Sequence, residues 1–261
     1  MQPSIEIRQI IDLVREAGNE IMKVYSQEFS FELKGDRSPL TQADKKSNSI
    51  IINGLKELYP DIPIISEETK LTAYDERKRW ITYWLVDPLD GTKEFIRKNG
   101  EFTVNIALMS DGKPVLGVVY APAQNKMWYG MKGEGSFFVN EDGTKTSLKK
   151  RDNWRGMNKV NVVASRSHLS DETLQFVEDL KKDGKEVYFV SSGSSLKFCL
   201  VAEGKADVYP RFAPTMEWDT AAGQAVVEIA GGRVLNWNTK QPLQYNKENL
   251  LNPFFIVEFP A

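Results

Sequence analysis

Trp84-Leu85-Val86-Asp87-Pro88-Leu89-Asp90-Gly91-Thr92 couples an apolar run to a turn that carries two carboxylates. With Ile81 and Tyr83 before it, the run from Trp84 to Val86 has the composition of a buried strand. Pro88 is expected to end that strand, and Gly91 permits a tight turn that other residues resist. Asp87 and Asp90, three positions apart on such a turn, can address one small volume. Two anions about 4 Å apart repel by about 4 kcal/mol at an effective dielectric of about 20. A cation between them removes that cost, and oxygen ligands suit a hard ion such as Mg²⁺. Taken alone, Asp-x-x-Asp is also the signature of an acidic surface turn, so the weight falls on whether other carboxylates share its setting.

Two other segments do. Glu67 and Glu68 follow the short apolar strand predicted over Ile62–Ile65, and so sit at a strand end as Asp87 does. If the two strands are neighbours, Glu67 meets Asp87 and Asp90 at the carboxyl edge, where open α/β sheets gather their sites. The third segment is Glu217-Trp218-Asp219-Thr220-Ala221-Ala222-Gly223. It places Asp219 at the N-cap of a helix expected over Thr220–Ala230. The small face of that helix allows close approach to another element, and helix N-termini hold phosphate well.

The rest of the chain supplies the frame. Apolar residues recur at helical spacing from Ile5 to Tyr25, giving a long amphipathic first helix. Phe29–Lys34 alternates like a strand, and Gly35 to Pro39 has loop composition. Thr41-Gln42-Ala43-Asp44 opens a second helix with a capping-box pattern, and that helix stops before Pro60. The segments Thr103–Met109, Val115–Tyr120, Lys126–Met131 and Ser136–Asn140 form a meander of strands joined by glycine-bearing turns. From Lys149 to Met157 the chain is polar and aperiodic, which marks a junction between residues 1–150, an α+β half, and residues 151–261. Beyond it strands and helices alternate, as layered α/β architecture requires.

Composition limits the function classes. Lysine and arginine total 34 against 36 acids, a net charge of −2, so no overall positive field recommends a nucleic-acid polymer as partner. A nucleotide as a small substrate needs only a local basic pocket. One cysteine, Cys199, excludes an intrachain disulfide and fits a reducing compartment. No basic start with an apolar run marks a leader. No segment approaches 18 consecutive apolar residues, so the expectation is a cytoplasmic protein. Peripheral contact with the inner membrane, and the choice between monomer and homodimer, are left open.

Glu67-Glu68, Asp87-Pro88-Leu89-Asp90-Gly91-Thr92 and Trp218-Asp219-x-Ala-Ala-Gly223, in this order and spacing, resemble the inositol monophosphatase superfamily. These are lithium-sensitive, Mg²⁺-dependent phosphatases, and the likeness covers essentially the whole chain. It implies an α/β fold with an α+β N-terminal half, built as a layered α-β-α-β-α sandwich. It implies two or three Mg²⁺ ions per site, held by Glu67, Asp87, Asp90, Asp219 and the Leu89 carbonyl. Thr92 and Asp44 match the family's water-activating pair, beside Glu67 and Asp90. Leu89, Asp90, Gly91, Thr92 and Asp219 would surround the phosphate. A cation that acidifies the attacking water makes a histidine base unnecessary, which suits a chain whose single histidine is His168.

Specificity is expected from the second half. Gly193-Ser194-Ser195-Leu196-Lys197-Phe198-Cys199 opens a helix, and Asp207-Val208-Tyr209-Pro210-Arg211 follows with a second cation. Lys197 and Arg211 would pair on a second phosphate held away from the metals. These two segments are similar to the bacterial bisphosphate nucleotidase branch of the same superfamily. That likeness implies removal of the 3′-phosphate of adenosine 3′,5′-bisphosphate to leave AMP, in sulfate assimilation, with the sulfated analogue as a further substrate. By it, Ser194, Lys197 and Arg211 hold the 5′-phosphate and His168 lies near the nucleoside. The alternative is the same chemistry on inositol monophosphate or fructose 1,6-bisphosphate.

Overall fold

The computed structural model describes residues 5–28, 30–33, 39–164 and 170–260. His168, the segment Ser165–Ser167 that precedes it, and most of the Gly35–Pro39 loop lie outside the described residues. The first half runs α1 (Ile7–Tyr25), β1 (Phe31–Leu33), β2 (Pro39–Thr41), α2 (Gln42–Leu58), β3 (Ile64–Ser66), α3 (Tyr74–Arg77), β4 (Thr82–Asp90) and α4 (Thr92–Ile96). It continues through β5 (Thr103–Ser110), β6 (Lys113–Ala121), β7 (Lys126–Met131), β8 (Gly135–Val139) and β9 (Lys145–Leu148). The second half carries β10 (Lys159–Ala164), α5 (Asp171–Lys182), β11 (Glu186–Ser191), α6 (Leu196–Glu203) and β12 (Val208–Arg211). It closes with α7 (Glu217–Ile229), β13 (Arg233–Asn236) and β14 (Phe255–Glu258).

Strands β3 to β9 form one sheet in chain order, with β3 and β4 parallel and the others antiparallel. Strands β11-β10-β12-β14-β13 form a second, mixed sheet. Period-2 alternation sorts β4 between two cores. Trp84 and Val86 face α1 and α2, with Ile106 and Val118 from the neighbouring strands. Tyr83 and Leu85 face the other way, onto α6 and α7 and through them onto Tyr209, Phe255 and Val257 of the second sheet. Val160 and Val162 on the far face of that sheet cover Val177 and Leu180 of α5. The result is the five-layer α-β-α-β-α sandwich, and each buried side chain of this size contributes about 1.5–3 kcal/mol.

One close approach fixes the helix that carries Asp219. A Cβ added to Gly117 of β6 would fall 2.4 Å from the Ala222 carbonyl oxygen. Glycine there, facing Ala222 and Ala225 of α7, lets helix and sheet touch backbone to backbone.

Two expectations about local structure are corrected. Pro88 does not end its strand: β4 continues to Asp90, because the register shifts between Asp87 and Asp90 and pairing resumes at Asp90 opposite Thr103. The proline falls in that irregularity, where a missing N–H costs no ladder bond. Asp219 is not the N-cap of its helix, since α7 begins at Glu217 and places Asp219 in the third position. Its carboxylate accepts from the Met216 N–H at 2.8 Å, reaching back to the cap from inside the first turn. Among the strands, β2, β9, β13 and β14 have no counterpart in the sequence reading, which gave Pro39 to a loop and Thr41 to the start of a helix.

Candidate active site

The parallel pair β3 and β4 sets the geometry. Ser66 stands opposite Val86, and the Glu67 N–H extends the ladder by donating to the Val86 carbonyl at 3.2 Å. The chain therefore leaves β3 with Glu67 beside Asp87. The Asp87 side chain, 1% exposed, accepts from the Leu89 N–H at 3.0 Å, which shapes the turn. From α2, the Ser47 hydroxyl donates to the Pro88 carbonyl at 2.7 Å and holds the same turn from below. Gly91 then takes the left-handed conformation, φ +89°, that starts α4 at Thr92.

Carboxylate oxygens of Glu67, Asp87 and Asp219 lie within 4.8 Å of one another. Burial raises the Asp87 carboxyl well above the usual range, and the charges of Glu67, Asp90 and Asp219 push it further. Asp219 is raised well above that range by burial and then by Asp90 and Glu67. Asp90 is raised by burial, and the Ser195 hydroxyl offsets part of that rise. The acids at the ends of β3 and β4 and in the first turn of α7 thus repel one another, although they span more than half the sequence. Asp90 acts on Asp87 and Asp219 through its charge but lies outside the 4.8 Å group.

Thr92 and Asp44 are also brought together. The Thr92 hydroxyl lies 3.2 Å from Asp44 Oδ1 and 3.4 Å from the Leu89 carbonyl. Asp44 is itself fixed, since its Oδ2 accepts from the Thr41 N–H at 2.7 Å and the Thr41 hydroxyl at 2.6 Å. The capping box predicted for α2 is therefore what orients Asp44.

The other wall comes from the second half. Lys197 is 5% exposed, and its Nζ donates to the Ser194 carbonyl at 2.7 Å. Burial lowers its ammonium to about 8, with Arg211 adding to the effect and Asp90, Glu94 and Glu101 opposing it. A cavity of about 170 Å³ runs from Asp90, Gly91 and Asp219 to Ser194, Lys197 and Arg211. Arg211 Nη2 donates to the Pro214 carbonyl at 2.9 Å. Among the described residues, Arg211 Nε and Thr215 Oγ1 are buried without a hydrogen-bond partner, and both residues line this cavity. Lys197, Arg211 and the Thr215 hydroxyl give this end of the cavity donors that suit an anionic or polar ligand.

Ser195, Asn105 and Thr215 escaped the sequence reading. Asn105 had a signal, being an amide inside the otherwise apolar strand Thr103–Met109. Ser195 lay inside the helix-opening segment Gly193–Lys197, but nothing there named Asp90 or Asp219 as its partners, and Thr215 carried no signal.

The layered sandwich with acids from two strand ends and a helix start defines a class of metal-assisted phosphatases. A family model described as the inositol monophosphatase family matches residues 5–253. The chain belongs to that family. It is 48% identical to the 3′(2′),5′-bisphosphate nucleotidase CysQ of Salmonella typhimurium over 253 residues, 96% of this chain and 98% of the relative. The crystal structure of CysQ from Bacteroides thetaiotaomicron superposes with a TM-score of 0.86 at 46% identity, covering 97% of each chain. An IMPase/NADP phosphatase solved with Mg²⁺ and phosphate shares the fold at 21% identity, with a TM-score of 0.79 over 97% of this chain and 90% of that one.

Proposed function

We propose that the protein hydrolyses the 3′-phosphate of adenosine 3′,5′-bisphosphate, leaving AMP and phosphate, with the sulfated analogue as a further substrate in sulfate assimilation. The observation that carries this reading is the cavity that runs from Asp90 and Asp219, at the edge of the acid cluster, to Lys197 and Arg211. A monoester with one phosphate leaves the second end without a partner.

The donor set fits Mg²⁺. Carboxylate oxygens within 4.8 Å of one another lie close enough for small side-chain adjustments to bring them onto a hard ion bound at about 2.0–2.1 Å, and the buried negative charge needs such a partner. Glu67, Asp87, Asp90 and Asp219, with the Leu89 carbonyl, would hold two or three ions. When bound, these ions lower the pKa of water and offset charge on the phosphoryl oxygens. The Thr92 hydroxyl, bonded to Asp44, orients the attacking water and passes its proton toward the Asp44 carboxylate. Ser194, Lys197 and Arg211 hold the 5′-phosphate, so that the 3′-phosphorus stands over the acid cluster in line for displacement. Residues 1–150 and 151–261 act as two units, one supplying most of the acids and the other Asp219 and the second-phosphate pocket. Cys199 is buried and unpaired, in keeping with a reducing cytoplasm, and lithium inhibition is expected.

Comparing kcat/KM for adenosine 3′,5′-bisphosphate, inositol 1-monophosphate and fructose 1,6-bisphosphate tests the assignment. The bisphosphate nucleotide should lead, and a preference for inositol monophosphate overturns it. Millimolar Mg²⁺ should also raise the melting temperature by several degrees without substrate, because binding to the folded state relieves the repulsion among the acids. A melting temperature that stays flat across that range argues against a preformed cation site.

A further inference from the structure

The hydroxyl of Ser195 sits where four elements meet. It accepts from Asn105 Nδ2 of β5 at 2.9 Å. Its own proton has two acceptors in range, Asp90 Oδ2 at the end of β4 at 2.7 Å and the Asp219 carbonyl in the first turn of α7 at 2.8 Å. Ser195 is also the N-cap of α6, the helix whose Lys197 lines the far end of the cavity. Both members of the pair are buried, with Ser195 2% and Asn105 1% exposed. Asn105 Oδ1 has no partner among the described residues, so the amide is oriented through its Nδ2 group, which donates to Ser195 and also lowers the Asp90 carboxyl through a hydrogen bond. Asn105 stands directly across the sheet from Asp87, which places the pair against the acid cluster.

We infer that Ser195 is a positioning residue for phosphoryl transfer, pinning Asp90 of the first half to the first turn of α7 and so fixing the separation between the acid cluster and the Lys197 pocket. The inference rests on the reading above that the cluster binds Mg²⁺. The Ser195 hydroxyl has both Asp90 Oδ2 and the Asp219 carbonyl within hydrogen-bond distance and shares its one proton between them. Without the hydroxyl, Asp90 keeps its charge but loses a buried donor, and α6 and α7 lose a shared contact beside the reacting phosphate. The expected consequence is a looser cation site and a misplaced phosphorus, with the binding of the distal phosphate little altered.

Ser195→Ala should lower kcat on the bisphosphate about tenfold, the loss of one hydrogen bond to a charged group. The Mg²⁺ concentration giving half the maximal shift in melting temperature, measured without substrate, should rise several-fold, while KM changes much less. Ser195→Thr, which keeps the hydroxyl, should restore both readouts. Asn105→Leu should act in the same direction as Ser195→Ala, and the double variant should be little worse than Ser195→Ala alone, because both changes break one linked unit. Parent-like kcat and Mg²⁺ titration in Ser195→Ala overturn the inference. So does a lowered melting temperature with both readouts unchanged, which makes the role structural only, or a raised KM with unchanged kcat, which makes Ser195 a substrate contact. A parent protein that neither binds Mg²⁺ nor releases phosphate overturns the underlying reading and the inference with it; with an active parent, the variants judge Ser195 alone.

Discussion

Asp90→Asn should leave the fold intact and cost at least about two orders of magnitude in turnover. The substitution keeps the size of the side chain and keeps an oxygen for the Ser195 hydroxyl, now 2.7 Å away. What it removes is a full negative charge at the focus of the acid cluster. Two decades of rate correspond to about 2.7 kcal/mol of barrier. That is less than the roughly 4 kcal/mol that unit charges exchange at 4 Å in a medium of effective dielectric about 20, so the charge alone can supply the loss. Stability should move the opposite way. Burial raises the Asp90 carboxyl, meaning that the folded protein disfavours its charged form, and asparagine removes that cost. Without Mg²⁺ the variant should therefore melt no lower than the parent. Phosphate release under saturating Mg²⁺, together with melting curves, checks both halves. Near-full activity in Asp90→Asn takes this residue out of the site.

The acids were legible in the chain because each announces itself locally. Asp87 and Asp90 follow an apolar run, Glu67 follows another, and Asp44 sits in a capping box with Thr41. The parallel pairing of β3 with β4 then does what the strand-end settings anticipated, since it aligns Glu67 with Asp87. Details that depend on partners far along the chain were not legible. Pro88 ends strands by its own chemistry, yet the antiparallel partner β5 carries pairing past it to Asp90. Asp219 has the composition of a cap, but the helix starts three residues before the expected Thr220, at Glu217, whose side chain contacts the chain at Asn246 and Lys247. There the Glu217 carboxylate accepts both backbone N–H groups. β14 is invisible for the same reason: Phe255–Glu258 is a short segment of three apolar residues and a glutamate whose strand character comes from pairing with β12 and β13 on either side. The hydroxyls of Ser195 and Thr215 are the extreme case: the neighbours of Ser195 marked its segment as part of the site, yet its partners Asp90 and Asp219 lie far along the chain, and nothing near Thr215 marks the cavity it lines.

Lys197→Met should raise KM for the bisphosphate by one to two decades, with kcat and the KM of a monoester such as inositol 1-monophosphate much less affected. A hydrogen bond involving a charged group contributes about 1.5–3 kcal/mol, which sets that range. Methionine fills most of the space of the buried lysine, so the loss reports the charge rather than a cavity. The pH dependence distinguishes this from a packing effect. In the free protein the Lys197 ammonium titrates at about 8, lowered by burial and by Arg211. Below that value the cation is present to meet a phosphate; above it the free protein must take up a proton as the anion binds, so affinity falls. The substrate contributes no competing change there, since a phosphate monoester loses its second proton near pH 6. KM for the bisphosphate should accordingly be flat from about pH 7 to 8 and climb above it. In Lys197→Met the curve should be uniformly high and lack that climb, and the monoester should show neither feature in either protein. A parent-like rise of KM above pH 8 in Lys197→Met, or an equal penalty on the monoester, would remove Lys197 from recognition of the second phosphate.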